Sequence, residues 1–189
     1  MTGIVLCGGL SSRLGYDKMI IQKENQPMFQ YWNNILCTIC SNVFISCTKD
    51  QKIKYKIENT IQDDELNQGP LAGIVSGIKI YPSTPLFVVA CDLVYLNKQD
   101  LTALISLRNE NKMATCYKNY ENNLPFPLFT IYEPNIFKLL IDEFQFGRKS
   151  ALDVLLKNEI NLIERKINLK GINTGQELLD YQNNELNSA

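Results

Sequence analysis

The spacing of apolar and polar positions changes repeatedly along the chain, and each change marks an element. Residues 2–7, TGIVLC, form a short apolar run that stops at paired glycines, the pattern of a strand buried on both faces. After a loop, Met28, Tyr31, Trp32, Ile35, Leu36 and Ile39 recur at helical spacing behind Pro27. Asn42 to Thr48 reads as a strand, the lysine-rich KDQKIKYKIEN as a solvated turn or helix, and Thr60 to Gln62 as a brief strand. Gly69-Pro70 opens a helix through LAGIVSGIKIY, with proline just inside its start, and PLFVVACD at 85–92 is the strongest strand pattern in the chain. Downstream come a helix from Asp100 to Asn109, strands MATCYK and PLFTIY, helices IFKLLIDEF and ALDVLLK, a late strand INLIERKI and a helix from Gly175 to Leu186.

This alternation predicts an α/β fold: a three-layer αβα sandwich with a mostly parallel sheet and helices on both faces. One domain spanning residues 1–189 accounts for the length. Lys plus Arg number 19 against 20 for Asp plus Glu, so no positive field is available to gather nucleic acid as the main partner. No apolar stretch reaches the length of a membrane helix and the start lacks the parts of a secretory signal, so the expected location is the cytoplasm. Cys7, Cys37, Cys40, Cys47, Cys91 and Cys116 lie among apolar neighbours and read as reduced, buried thiols. Cys37 and Cys40 have the spacing of a chelating pair, but no second pair completes a zinc site. Histidine is absent, which removes Ser-His-Asp and Cys-His catalysis together with histidine-ligated metals. Chemistry is left to carboxylates, lysine, arginine, hydroxyls, backbone amides and a hard cation.

In a parallel α/β sheet ligands bind beyond the carboxyl ends of the strands, and the first strand runs straight into Cys7-Gly8-Gly9. Glycines let the backbone approach a ligand closely and turn its N–H groups toward phosphate oxygens. Arg13 and Lys18 add positive charge to the same stretch, and together these features describe a phosphate cradle. It is not the Walker loop, since five residues separate Gly9 from Gly15 and Tyr16-Asp17-Lys18 follows; G-x-G-x-x-G is also absent. Asp92, closing the strongest strand, is placed to hold a cation. The plainer alternatives are a helix N-cap for Asp92 and solvated surface cations for Arg13 and Lys18.

Taken together, GIVLCGGLSSRLGYDK resembles the Leu-x-Gly-Gly-x-Ser-x-Arg-Met-Gly-x-Asp-Lys signature of the molybdenum cofactor guanylyltransferases, with Cys7 in place of alanine and Leu14 in place of methionine. Gly69-Pro-Leu-Ala-Gly73 matches that family's second block and Cys91-Asp92 its third, although Leu93-Val94 lacks the proline common after this Asp. Ile172-Asn173-Thr174 resembles a late Asn-Thr element, with Gly175-Gln176 in place of Pro-Glu. The resemblance implies a Rossmann-like nucleotidyltransferase fold and transfer of GMP from GTP to the terminal phosphate of molybdenum-bearing molybdopterin, with release of pyrophosphate. It also implies Mg²⁺ as cofactor and molybdenum-cofactor delivery or insertion proteins as further partners.

By the same resemblance Arg13, Lys18 and Asp92 are catalytic and Asp92 holds the metal. GTP contacts come from Leu6, Cys7, Gly8, Gly9, Gly15, Lys18, Asp63, Gly69, Pro70, Leu71 and Asp92, the backbone of Leu6 to Gly8 facing the base. Asp64 is the alternative to Asp63 for the guanine contact. Ser46 stands where the family tends to have Asn. Asn173 either contacts the pterin or is a buried structural residue of a turn. The rival readings are a related cytidylyltransferase or sugar-phosphate nucleotidyltransferase, and a non-catalytic nucleotide-binding protein.

Overall fold

A computed structural model describes residues 1–8, 16–62, 69–148 and 150–186. Seven strands form its central sheet: β1 (Thr2–Leu6), β4 (Asn42–Cys47), β5 (Thr60–Gln62), β6 (Leu86–Ala90), β7 (Ala114–Asn119), β8 (Leu124–Tyr132) and β9 (Asn161–Ile163). Their order is β5-β4-β1-β6-β8-β7-β9. Pairing is parallel throughout except where β8 enters between β6 and β7, antiparallel to both. The sheet is therefore mostly parallel, as the alternating pattern requires. A two-stranded hairpin, β2 (Gln22–Lys23) and β3 (Gln26–Pro27), stands apart from it.

Two apolar layers flank the sheet because successive side chains of a strand point to opposite faces. Val5, Phe87 and Val89 pack with Met28, Trp32 and Leu36 of α1 (Met28–Leu36), Leu101 and Leu104 of α4 (Lys98–Ser106) and Tyr181 of α7 (Gly175–Leu186). Ile4, Leu86 and Val88 face the other way, onto Leu71, Ile74 and Ile78 of α3 (Pro70–Ile80), Leu140 of α5 (Phe137–Gln145) and Val154 of α6 (Ala151–Leu156). Helix α2 (Lys49–Tyr55) buries no residue, in keeping with its lysine-rich sequence.

Three expectations change. Cys37 is exposed, because α1 ends at Leu36 and Cys37 caps it off the buried stripe; Ile39, beyond the same helix end, is exposed as well. The late strand is cut to Asn161–Ile163, the charged Glu164-Arg165-Lys166 leaving the sheet. The hairpin before α1, read as loop, turns through Glu24 and Asn25, both with positive φ, where such turns ordinarily carry Asn-Gly. Among the described residues no helix is long and apolar enough to cross a membrane, and no cluster of three metal-ligating side chains occurs.

Candidate active site

The parallel strands β1 and β6 end side by side, Leu6 paired with Ala90, and the chain leaves them at Cys7-Gly8 and Cys91-Asp92. Beyond these ends lies a cavity of about 300 Å³ lined by Leu6, Cys7, Gly8, Ala90, Cys91 and Asp92, with Lys18, Gly69, Pro70, Leu128 and Asn173 closing it. Lys18 stands on a short 3-10 turn, Lys18–Ile20, anchored by the fully buried Met19 and capped by Asp17, whose carboxylate accepts the Met19 N–H. Its Nζ donates to Asp92 Oδ2 at 2.8 Å and to Asn173 Oδ1 at 2.7 Å. The Lys18 and Asp92 side chains are 23% and 20% exposed, open enough to meet a ligand yet shielded enough for the pair to matter. Lys18 is therefore no free surface cation, and Asp92 is no helix cap, since the next helix is capped by Asn97.

The segment after Asp92 turns tightly without a proline. Val94 N–H donates to the Asp92 carbonyl, Leu93 and Val94 are each 1% exposed, and Lys23 Nζ holds the carbonyls of Val94 and Leu96. From the other side comes 171–173, which sequence reasoning gave little part. Ile172 N–H donates to the Asp92 carbonyl, and a Cβ on Gly171 would lie 3.0 Å from Asp92 Cγ. Asn173 is exposed, not buried in a turn; its N–H donates to Glu177 and its Nδ2 to the Gly171 carbonyl, which aims Oδ1 at Lys18. The backbone N–H of Asn173, joined by Thr174, holds the Glu177 carboxyl below its ordinary range.

At the rim of the cavity, Gly69 has φ 73°, a left-handed conformation that side chains disfavour, and it caps α3 with Pro70 following at the first helical position. The Leu71 side chain is fully buried, which leaves the backbone N–H, in the turn where a helix has no internal acceptor, as the group this residue could offer a ligand. Ser46, which stands where the family tends to have Asn, is packed beneath α3. It is 1% exposed, and a Cβ on Gly73 would come within 2.3 Å of its Oγ, so it marks one of the places where α3 sits close against the sheet. The Leu6 carbonyl and the Cys7 N–H are committed to Cys91 and Ser46, and the Cys7 carbonyl accepts from Gln51 Nε2. Burial, with a hydrogen bond to Cys91, pushes the Cys7 thiol well up. Gly9, Arg13, Gly15, Asp63 and Asp64 lie outside the described residues.

Comparison with known proteins agrees with this geometry. The molybdenum cofactor biosynthesis bifunctional protein of Synechocystis sp. is 32% identical over 164 residues, 86% of this chain, although the chain spans only 47% of that relative's length. A probable molybdenum cofactor guanylyltransferase of Flavobacterium johnsoniae is 26% identical over 97% of both chains. In fold, the chain resembles the crystal structure of molybdopterin-guanine dinucleotide biosynthesis protein A from Archaeoglobus fulgidus, with a TM-score of 0.79 at 19% identity over 99% of this chain and 100% of that one. Residues 3–156 match the MobA-like NTP transferase domain, and the chain belongs to that family.

Proposed function

We propose that the protein transfers GMP from GTP to the terminal phosphate of molybdenum-bearing molybdopterin, forming the guanine dinucleotide cofactor and pyrophosphate. A phosphate oxygen of the pterin attacks the α-phosphorus of GTP, and the bond to the bridging oxygen of the leaving pyrophosphate breaks. A phosphate monoester is already ionised at neutral pH, so no general base is needed, and a chain without histidine loses nothing by it. Positioning and charge neutralisation carry the reaction. The observation that carries the reading is the Lys18–Asp92 pair, 2.8 Å apart at the mouth of a cavity formed by strand ends.

In this reading Lys18, joined by Arg13, meets the triphosphate and stabilises charge on departing pyrophosphate. Gly8, Gly9, Gly15 and the first turn of α3 at Gly69-Pro70-Leu71 offer backbone groups, and Asp63 or Asp64 faces guanine. The donor set suits Mg²⁺: a single partly exposed carboxylate at Asp92, with neighbouring thiols too buried to compete, is what an ion that keeps its waters and takes phosphate oxygens requires. Bound there, Mg²⁺ would offset negative charge on the phosphates. We read residues 1–189 as one nucleotidyltransferase domain working in the cytoplasm, its product passing to molybdenum-cofactor delivery or insertion proteins. The test is pyrophosphate release with each nucleoside triphosphate and the pterin substrate. We expect GTP to be used in preference to CTP, and Asp92→Ala to lose at least about a hundredfold while melting as the native chain does. Undiminished magnesium-dependent turnover by Asp92→Ala would remove that residue from the mechanism.

A further inference from the structure

Gln51 has two separate roles. At the third position of α2, its Oε1 accepts the Thr48 N–H at 3.0 Å and its N–H donates to Thr48 Oγ1 at 3.2 Å, closing a capping box. Its Nε2 reaches away from the helix, donating to the Cys7 carbonyl at 3.3 Å and to the two Asp17 oxygens at 3.1 and 3.2 Å. Cys7 follows the end of β1 and Asp17 precedes Lys18, so one amide joins the two sides of the chain that flank residues 9–15.

The capping box does not explain an amide at this position. Glutamate serves the third helical position at least as well, and its charge suits the helix N-terminus. The neighbours across the gap decide the matter. A carboxylate at 51 would face the Asp17 carboxylate and the Cys7 carbonyl, acceptors all, with no proton to share. The amide supplies one hydrogen to each side. We propose that Gln51 is a positioning residue, fixing Asp17 against Cys7 and thereby holding Lys18 beside Asp92. The link is short: Asp17 caps the turn that carries Lys18, and the Asp17 carbonyl accepts the Ile20 N–H. What Lys18 then acts upon rests on the proposed function.

The test compares the full chain with Gln51→Glu and with the exchange variant Asp17→Asn/Gln51→Glu, in which amide and carboxylate trade places across one contact. Lys18 acetylation by an N-hydroxysuccinimide ester, read by peptide mass spectrometry without nucleotide, reports whether Lys18 is held. Calorimetric titration with GTP and Mg²⁺ reports the consequence. Gln51→Glu keeps the capping box and should melt as the native chain does, yet Lys18 should be labelled about fivefold faster and GTP bound about tenfold more weakly. The exchange variant should recover both to within about threefold. Unchanged Lys18 labelling in Gln51→Glu overturns the proposal, as does an exchange variant that labels as fast as the single one. Should Gln51→Glu melt early, the exchange variant decides alone: a restored fold with Lys18 still released overturns it. Failure of the native chain to bind GTP counts against the proposed function, while the labelling rates still judge Gln51.

Discussion

Gly171 lies outside the span matched by the family and carries no motif, yet replacing it with alanine should damage the site more than the fold. The new Cβ would stand 3.0 Å from Asp92 Cγ and Oδ2 and 3.1 Å from Oδ1. Carbon atoms rest at about 3.5 Å or more, so the carboxylate must give way by about 0.5 Å. Asp92 lines the cavity, and a shift in that direction would stretch the bond to Lys18 or carry Lys18 with it. If a misplacement of about 1 Å costs about a hundredfold in rate, half of it costs about tenfold. Stability moves little, since alanine narrows the unfolded ensemble by about 0.4–1 kcal/mol while the crowding is relieved into open space. The assay is initial-rate pyrophosphate release at subsaturating GTP beside a thermal melt. We expect kcat/KM down about tenfold with the melting temperature within about 4 °C of native. A variant with native kcat/KM would refute the reasoning, because it would mean the 171–173 wall does not set the place of Asp92.

Two further outcomes follow from groups remote from the cavity. Glu133, whose side chain is 4% exposed, accepts from Arg108 at 2.6 and 2.9 Å; Glu133→Ala leaves a half-buried guanidinium with only the exposed Glu110. That should cost about 3 kcal/mol, which calorimetry would read as a fall of about 9 °C. Burial pushes the Cys40 thiol up to about 11 and Cys116 to about 12, from an ordinary 9.0. Below pH 9 both folded and unfolded chains keep these protons; above it the unfolded chain ionises first, so stability is lost as pH climbs from 9 toward 11 and 12. Melting curves from pH 8 to 11 should show this decline, less steeply in Cys116→Ala, and a decline of equal slope in both proteins would contradict it.

The sheet was legible because burial on both faces leaves unbroken apolar runs: TGIVLC contains β1, which stops one residue short at Leu6, and PLFVVACD contains β6, which keeps only Leu86–Ala90. Helix ends were harder. The apolar spacing of α1 continues on paper to Ile39, but the helix stops at Leu36, and propensity alone does not say where tertiary packing ceases to reward another turn. The hairpin at Glu24-Asn25 was hard to see because Asn25 is a turn residue without a following Gly, and Glu24, which also takes a positive φ, carries no turn signal. Within the site, motif resemblance named Lys18 and Asp92 separately, and the fold joins them across 74 residues of sequence. Gln51 and Gly171 could not be read at all. Thr48-x-x-Gln51 announces a capping box, yet the contact that matters is made by the other end of the same amide, and Gly171 acts by lacking a side chain against a partner 79 positions earlier.

The two acceptors that hold Lys18 differ in charge, and that difference has a use. Asp92 neutralises the ammonium, which spares a half-buried cation the cost of standing unpaired. Asn173 accepts a hydrogen bond at 2.7 Å without cancelling any charge. On the proposed function, Asn173 would keep Nζ in place once Asp92 is drawn to the metal, so the full positive charge would pass to the phosphates with little side-chain freedom left to lose. Asn173 is in turn aimed by Gly171 and Glu177, and Asp92 by Gly171 and Ile172. The segment that enters the site last in sequence thus orders both partners of the lysine, and a chain ended at residue 156, the limit of the family match, would keep Lys18 and Asp92 but lose the neutral acceptor on which the proposed release of the lysine from Asp92 depends.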